Sequence, residues 1–223
     1  NSKALYVIGQ LYRIGFQALP IVILLAFLLG TILAFQSARQ LEKFGANIYV
    51  ADLVAISLTR EIAPILISII IAGRSGSAFA SEIGTMVVTE EIIALKAMGI
   101  SPVKILVMPK MVALLIALPS LVLIADLIGI IAGFSIGCFV LGISYNDYYS
   151  QTIKILSMAH IWAGIRKCFA FAIVIAMVGA YHGFTVGEGA DGVGRASTKA
   201  VVDSIILIIA VNSLFTLVSY FAQ

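Results

Sequence analysis

Ile105–Leu141 reads ILVMPKMVALLIALPSLVLIADLIGIIAGFSIGCFVL, and only Lys110 and Asp126 carry charge in it. A helix needs about 20 apolar residues to cross the roughly 30 Å hydrocarbon core of a bilayer. At about 1.5 Å of rise per residue this run is too long for one upright crossing. It is expected to form either one long, tilted transmembrane helix, the preferred reading, or a span plus an extension. The rest of the chain has the same character. Of 223 residues, 61% are hydrophobic and 11% charged, where a soluble domain carries about 25% charge. The mean hydropathy is +1.12. One soluble core cannot bury that much apolar surface, so the chain is expected to be an all-α membrane protein.

Four further apolar runs complete the span pattern. Spans are expected near 19–38, 48–73, 105–141, 162–184 and 201–221, about five in one transmembrane domain covering 1–223. Residues 1–17 mix Lys3 and Arg13 with apolar residues and suit an amphipathic helix lying in the membrane interface. Lys3, Arg13, Arg74, Lys96, Lys104, Lys110, Arg195 and Lys199 fall on one side of such a bundle. The other side holds Arg39, Lys43 and Lys154, with Arg166 and Lys167 at the interface. The positive-inside rule places the first group in the cytoplasm.

The connection after the second span is the most informative loop. Glu82, Glu90, Glu91 and Lys96 exclude it from the hydrocarbon. Ile83, Met86, Val87, Ile93 and Leu95 suit a helix with one apolar side. Gly99 fits the left-handed position after a helix end. Ser101-Pro102 then reads as an N-cap with proline in the first turn. A short cytoplasmic helix over 83–98 is therefore expected, either docking a soluble partner or resting in the lipid interface.

Arg60 and Glu61 stand in the middle of the second span, where each costs about 2.5–3.5 kcal/mol on insertion scales. Adjacent residues point about 100° apart on an α-helix, a poor geometry for mutual neutralisation. One reading is a polar cavity in which Arg60 faces a lipid phosphate; the other is an ion-pair network that orients helices. Arg166 suits snorkelling to the interface, and Lys167 suits either role. Asp126 takes no assigned role.

Gly129, Gly133 and Gly137 form a GxxxGxxxG stripe that lets a neighbouring helix approach closely. Gly187, Gly189 and Gly192 spell GxGxxG, but they follow a membrane helix rather than the strand of a nucleotide-binding unit. No GxxxxGK[ST] loop is present. His160 and His182 lack Cys, His or carboxylate companions at metal-ligand spacing. Cys138 and Cys168 lie in apolar runs and read as packing residues. No basic run or aromatic–basic stripe points to nucleic acid. No catalytic site is expected, and no metal or cofactor in this chain.

The stretch LTREIAPILISIIIAGRSGSAFASEIGTMVVTEEIIALKAMGISPVKILVMPK, Leu58–Lys110, resembles the signature region of the MlaE (YrbE-like) permeases. GADGVGRASTKAVVDS, Gly189–Ser204, resembles their second hallmark. Glu91, Ser197 and Lys110 depart mildly from the family pattern, which more often has glutamine, threonine and arginine there. The resemblance implies a homodimeric permease of the bacterial inner membrane. It implies a cytoplasmic ATP-binding cassette subunit that binds ATP, a periplasmic MCE-domain protein and, in some systems, a STAS-domain subunit. The implied cargo is phospholipid, moved between the inner membrane and the MCE protein so that outer-membrane lipid asymmetry is kept. Arg60, Glu61 and Lys167 match positions that line the family's lipid cavity. Residues 83–98 match its coupling helix, so Glu82, Glu90, Glu91, Leu95, Met98 and Gly99 are the expected ATPase-coupling residues. The Gly189–Lys199 loop would be a second cytoplasmic contact.

Two rival classes give different expectations. An ion-gradient-driven transporter would use Glu61 and Asp126 as a proton relay, and many such proteins show repeated halves that this sequence lacks. A membrane scaffold would tolerate loss of Arg60 and Glu61.

Overall fold

The computed structural model describes residues 2–187 and 189–221, and among these the regular structure is helical throughout. Helix α1 is Ser2–Ile14 and α2 is Leu19–Glu42. Helix α3 is Asn47–Val88, α4 is Glu91–Ala97 and α5 is Val103–Phe139. Helices α6, α7 and α8 are Tyr145–Ile155, Met158–Phe184 and Gly189–Phe221. Five stretches are long and apolar enough to cross a membrane: Leu5–Glu42, α3, α5, α7 and α8. The all-α membrane fold follows, and 105–141 does lie almost wholly in one rod.

Helix α1 covers the expected interfacial segment. Tyr12 near its end stacks on the ring of Phe16, just beyond it, at 5.2 Å, and α2 starts with Pro20 in its first turn, where a missing N–H costs nothing. Other boundaries differ from the reading of the sequence. The second helix does not stop near residue 73 but continues to Val88. The polar, small stretch Gly73-Arg74-Ser75-Gly76 is absorbed as one wide turn, in which Ser77 N–H donates to the Ala72 carbonyl five residues back. The Ser77 hydroxyl also bonds the Gly73 carbonyl, satisfying a group that the wide turn leaves over. The last helix begins at Gly189, twelve residues before the expected 201. The Gly189–Lys199 segment is thus helix rather than loop. Helix α6 was absent from the sequence reading.

Two compact units are present. One comprises Asn1–Gln17, Ser68–Leu118 and Lys167–Gln223; the other comprises Ala18–Ile67 and Pro119–Arg166. The core of the second unit joins Ala34 and Ala38 of α2 to Val50, Val54 and Leu58 of α3. The glycine stripe of α5 explains how closely these helices meet. A Cβ on Gly129 would lie 2.8 Å from the Leu58 side chain, and one on Gly133 would lie 2.7 Å from Val54. The flat face of Gly137 receives the ring of Tyr148, which α6 folds back into the unit. Asp52 of α3 accepts both 2.9 and 2.8 Å hydrogen bonds from Gln151 Nε2, fixing α6 in place. In the first unit α8 lies along the Ser77–Val88 part of α3, and Ser197 donates to the Ser77 carbonyl at 3.3 Å. Gly179 and Gly183 of α7 meet Phe79 and Ile83 in the same layer.

Candidate functional site

Arg60 and Glu61 sit in a wide turn, Leu58–Ile62, in which Ala63 N–H donates to the Leu58 carbonyl. The cause lies two residues on. Pro64 has no N–H, and its ring clashes with the carbonyl of residue 60 in a regular α-helix. Widening the turn relieves that clash. Pro109 stands in the same relation to the wide turn Val103–Val107. Such turns carry more residues per revolution than an α-helix, so successive side chains fan through a smaller angle. Arg60 Nε and Glu61 Oε1 lie 4.0 Å apart, with 29% and 31% of their side chains exposed. The contact is long for an ion pair, in keeping with the poor mutual geometry expected of adjacent residues. Thr59 is buried beside them and bonds the Ala55 carbonyl at 2.8 Å. Gly164 of α7 lies against the Thr59 carbonyl and Pro64, so no larger residue fits there.

Lys167 belongs to the other unit and is 3% exposed. Its neighbour Arg166 is exposed, as expected of a snorkelling residue. Asp126 is buried in α5, and its Oδ1 has no hydrogen-bond partner. His182 does have a carboxylate companion: Nε2 lies 2.7 Å from Asp203 Oδ2. The two are 21 residues apart, and only the pairing of α7 with α8 brings them together. Among the described residues no group of three His, Cys, Asp or Glu side chains is placed to hold a metal.

The expected coupling segment 83–98 is two pieces rather than one helix. Helix α3 ends at Val88, Glu90 takes a left-handed conformation with φ of 62°, and α4 begins at Glu91. A non-glycine residue with positive φ is uncommon and marks an overdetermined turn. The far end closes as the sequence suggested. Gly99 has φ of +73°, Gly99 N–H donates to the Lys96 carbonyl, and Ile100 N–H donates to Leu95, a Schellman closure. Ile92 anchors α4 inward, Leu95 is half-buried, and Glu90, Glu91, Ile93 and Met98 project outward. Ile93 and Met98 are 62% and 64% exposed.

Glu82 faces elsewhere. Its Oε2 lies 2.7 Å from Lys110 Nζ, and the ammonium also sits 4.9 Å from the centre of the Phe79 ring. Lys110 is 1% exposed. Glu82 therefore ties α3 to α5 through this ion pair, while its side chain keeps 43% exposure. Lys110 was not singled out as a site residue; a charge just inside the membrane edge was the available signal.

Five membrane-length helices, with charges inside one of them and an exposed short helix between two of them, define a multi-pass membrane protein. The family model described as Permease MlaE matches residues 7–218, and the chain belongs to that family. A probable ABC transporter permease of Rickettsia typhi is 41% identical over 210 residues, covering 94% of this chain and 81% of the relative. A probable ABC transporter permease of Synechocystis is 34% identical, covering 91% and 77%. The intermembrane phospholipid transport system permease protein MlaE of Haemophilus influenzae is 28% identical, covering 96% and 82%. The chain is thus a permease of the MlaE family, and its relatives are named as ABC transporter permeases.

Proposed function

We propose that the chain moves phospholipid between the bacterial inner membrane and a periplasmic MCE-domain partner, as a homodimer driven by a separate ATP-binding cassette subunit. The observation that carries this reading is a half-exposed Arg60–Glu61 pair in a proline-widened turn of a family permease. A mid-membrane charge that stays partly accessible is a functional expense, since helix orientation alone is served by burying it. Arg60 takes the lipid phosphate and Glu61 holds the guanidinium in position; Lys167, in the other unit, is assigned a lipid contact of its own. The name of the Haemophilus relative supports phospholipid as the cargo. Transport of this kind serves outer-membrane lipid asymmetry, and a STAS-domain subunit completes some assemblies. ATP is bound and hydrolysed by the partner, and this chain contributes no catalytic group.

ATP-driven closure of the partner pushes on α4, and the spans respond by opening or closing the lipid cavity. The test is reconstitution of the complete complex in vesicles, with ATPase activity and lipid transfer measured together. Arg60→Ala should reduce transfer by about tenfold or more, the worth of one charge-assisted contact, while basal ATPase activity persists. Full transfer by Arg60→Ala and Lys167→Ala would sink the assignment.

A further inference from the structure

Two cavities meet where α7 ends. One, of about 550 Å³, is lined by His182, Thr185, Asp191, Arg195 and Lys199. The other, of about 570 Å³, is lined by Met177, Val178, Ile206 and Leu207. Tyr181 and His182 belong to both, so the two form one groove along α7 and α8. The groove has a direction. On α7 it passes from Met177 and Val178 through His182 to Thr185; on α8 it passes from Leu207 through Asp203 to Lys199, Arg195 and Asp191. Both walls therefore change from apolar to polar at the same level, and the His182–Asp203 contact of 2.7 Å marks that level.

The charges have an order as well. Asp191, Arg195, Lys199 and Asp203 are spaced four apart and share one face of α8. Asp191 lies one turn, about 6 Å, beyond Arg195, and about 24 Å from Leu207 at 1.5 Å per residue. Half of a 30 Å hydrocarbon core is about 15 Å, which leaves the remainder for a head group. Two cations followed outward by one carboxylate match a phosphate followed outward by an ammonium. A singly anionic head group would leave Asp191 facing like charge.

We propose that this groove holds one zwitterionic aminophospholipid. Its phosphate lies at Arg195 and Lys199, its ammonium at Asp191, and an acyl chain runs along Met177, Val178 and Ile206. Neither Arg60 nor Lys167 lines the groove, and its occupation needs no transport cycle, so it stands apart from the proposed function.

The test is native mass spectrometry of the full chain, extracted in mild detergent and titrated with phosphatidylethanolamine, phosphatidylglycerol or diacylglycerol of matched chains. The expected result is preferential retention of phosphatidylethanolamine. Arg195→Gln/Lys199→Gln, which keeps the long side-chain stems, should weaken that retention about tenfold. Asp191→Asn should shift preference towards phosphatidylglycerol about fivefold while total phospholipid retention holds. Retention by the chain alone involves no ATPase and no transfer step, so failure here and failure of the transport reading are distinguishable. Equal retention by the unaltered chain and the double variant, at equal melting temperature, overturns the site. An unchanged preference in Asp191→Asn overturns the head-group assignment. Displacement of the lipid by inorganic phosphate alone would show an anion site without a lipid, and would also overturn it.

Discussion

Lys110 is a costly side chain to place. Its ammonium is almost wholly buried and faces Glu82 at 2.7 Å and the Phe79 ring at 4.9 Å. Breaking one side of a buried pair leaves the other charge uncompensated, whereas replacing both by apolar groups is often neutral. The Glu82 side chain keeps 43% exposure, so water softens the loss. Glu82→Ala should destabilise the protein by about 1–3 kcal/mol, and Glu82→Ala/Lys110→Met should recover most of it. Thermal melting in detergent distinguishes these, and equal melting points for the single and double variants would contradict the pairing. Tyr148 makes the opposite case, a large ring held by shape. Its hydroxyl has no hydrogen-bond partner, and burial first, then Cys138 and Asp52, raise its pKa above the ordinary tyrosine value. A raised folded-state pKa leaves stability intact below the unfolded value of about 10 and erodes it as pH rises above that. Tyr148→Phe should therefore flatten the fall of melting temperature between pH 9 and 11. Gly137→Ala, which pushes a methyl into the same ring, should cost about 1–3 kcal/mol at every pH.

At the level of elements, the spans were legible because hydropathy counts residues, and five apolar runs became five membrane-length helices. Their ends were less legible. Gly73-Arg74-Ser75-Gly76 has the composition of an exit from the membrane, yet a wide turn and the Ser77 hydroxyl carry the helix through it. Asp191, Arg195 and Lys199 gave the start of α8 the look of a loop, although their spacing of four is helical. Helix α6 is too short and polar for a span signal, and its place depends on Tyr148 meeting Gly133 and Gly137 from far along the chain. Gly187, Gly189 and Gly192 have a structural explanation as well: Gly189 has φ of +73°, and Gly192 packs directly on the Gly187 carbonyl at the turn into α8. The wide turns Leu58–Ile62 and Val103–Val107 follow from Pro64 and Pro109, whereas Ala72–Gly76 widens with no proline after it. Pro64→Ala should let Leu58–Ile62 relax towards a regular helix and carry Arg60 and Glu61 apart. The expected outcome is lipid transfer reduced several-fold with the melting temperature unchanged or raised, because proline inside a helix costs about 3 kcal/mol. A melting temperature lowered in proportion to transfer would mean that the turn serves folding instead.

At the scale of the whole molecule, force from a separate ATPase must enter through surface that the fold leaves uncovered and yet holds rigidly. Helix α4 meets both conditions. It is a single short helix, anchored by Ile92 and clamped at both ends by positive-φ residues, Glu90 and Gly99. Ile93 and Met98 stand out from it at 62% and 64% exposure, flanked by Glu90, Glu91 and Lys96. Apolar anchors inside a charged rim are the usual anatomy of a docking surface. Resting in the lipid interface demands the same apolar residues, but it tolerates their exchange for other greasy ones and gains nothing from the rim charges. Ile93→Asp/Met98→Asp should abolish co-purification of the ATPase subunit, and Glu91→Lys should weaken it, with the permease still folded and membrane-embedded. Gly99→Ala should act differently. Its strained backbone costs about 1 kcal/mol and loosens the clamp, so the ATPase should remain bound while ATP hydrolysis becomes uncoupled from lipid transfer. Retained docking by the double aspartate variant would return α4 to the lipid interface and move the point of force entry elsewhere on the cytoplasmic surface.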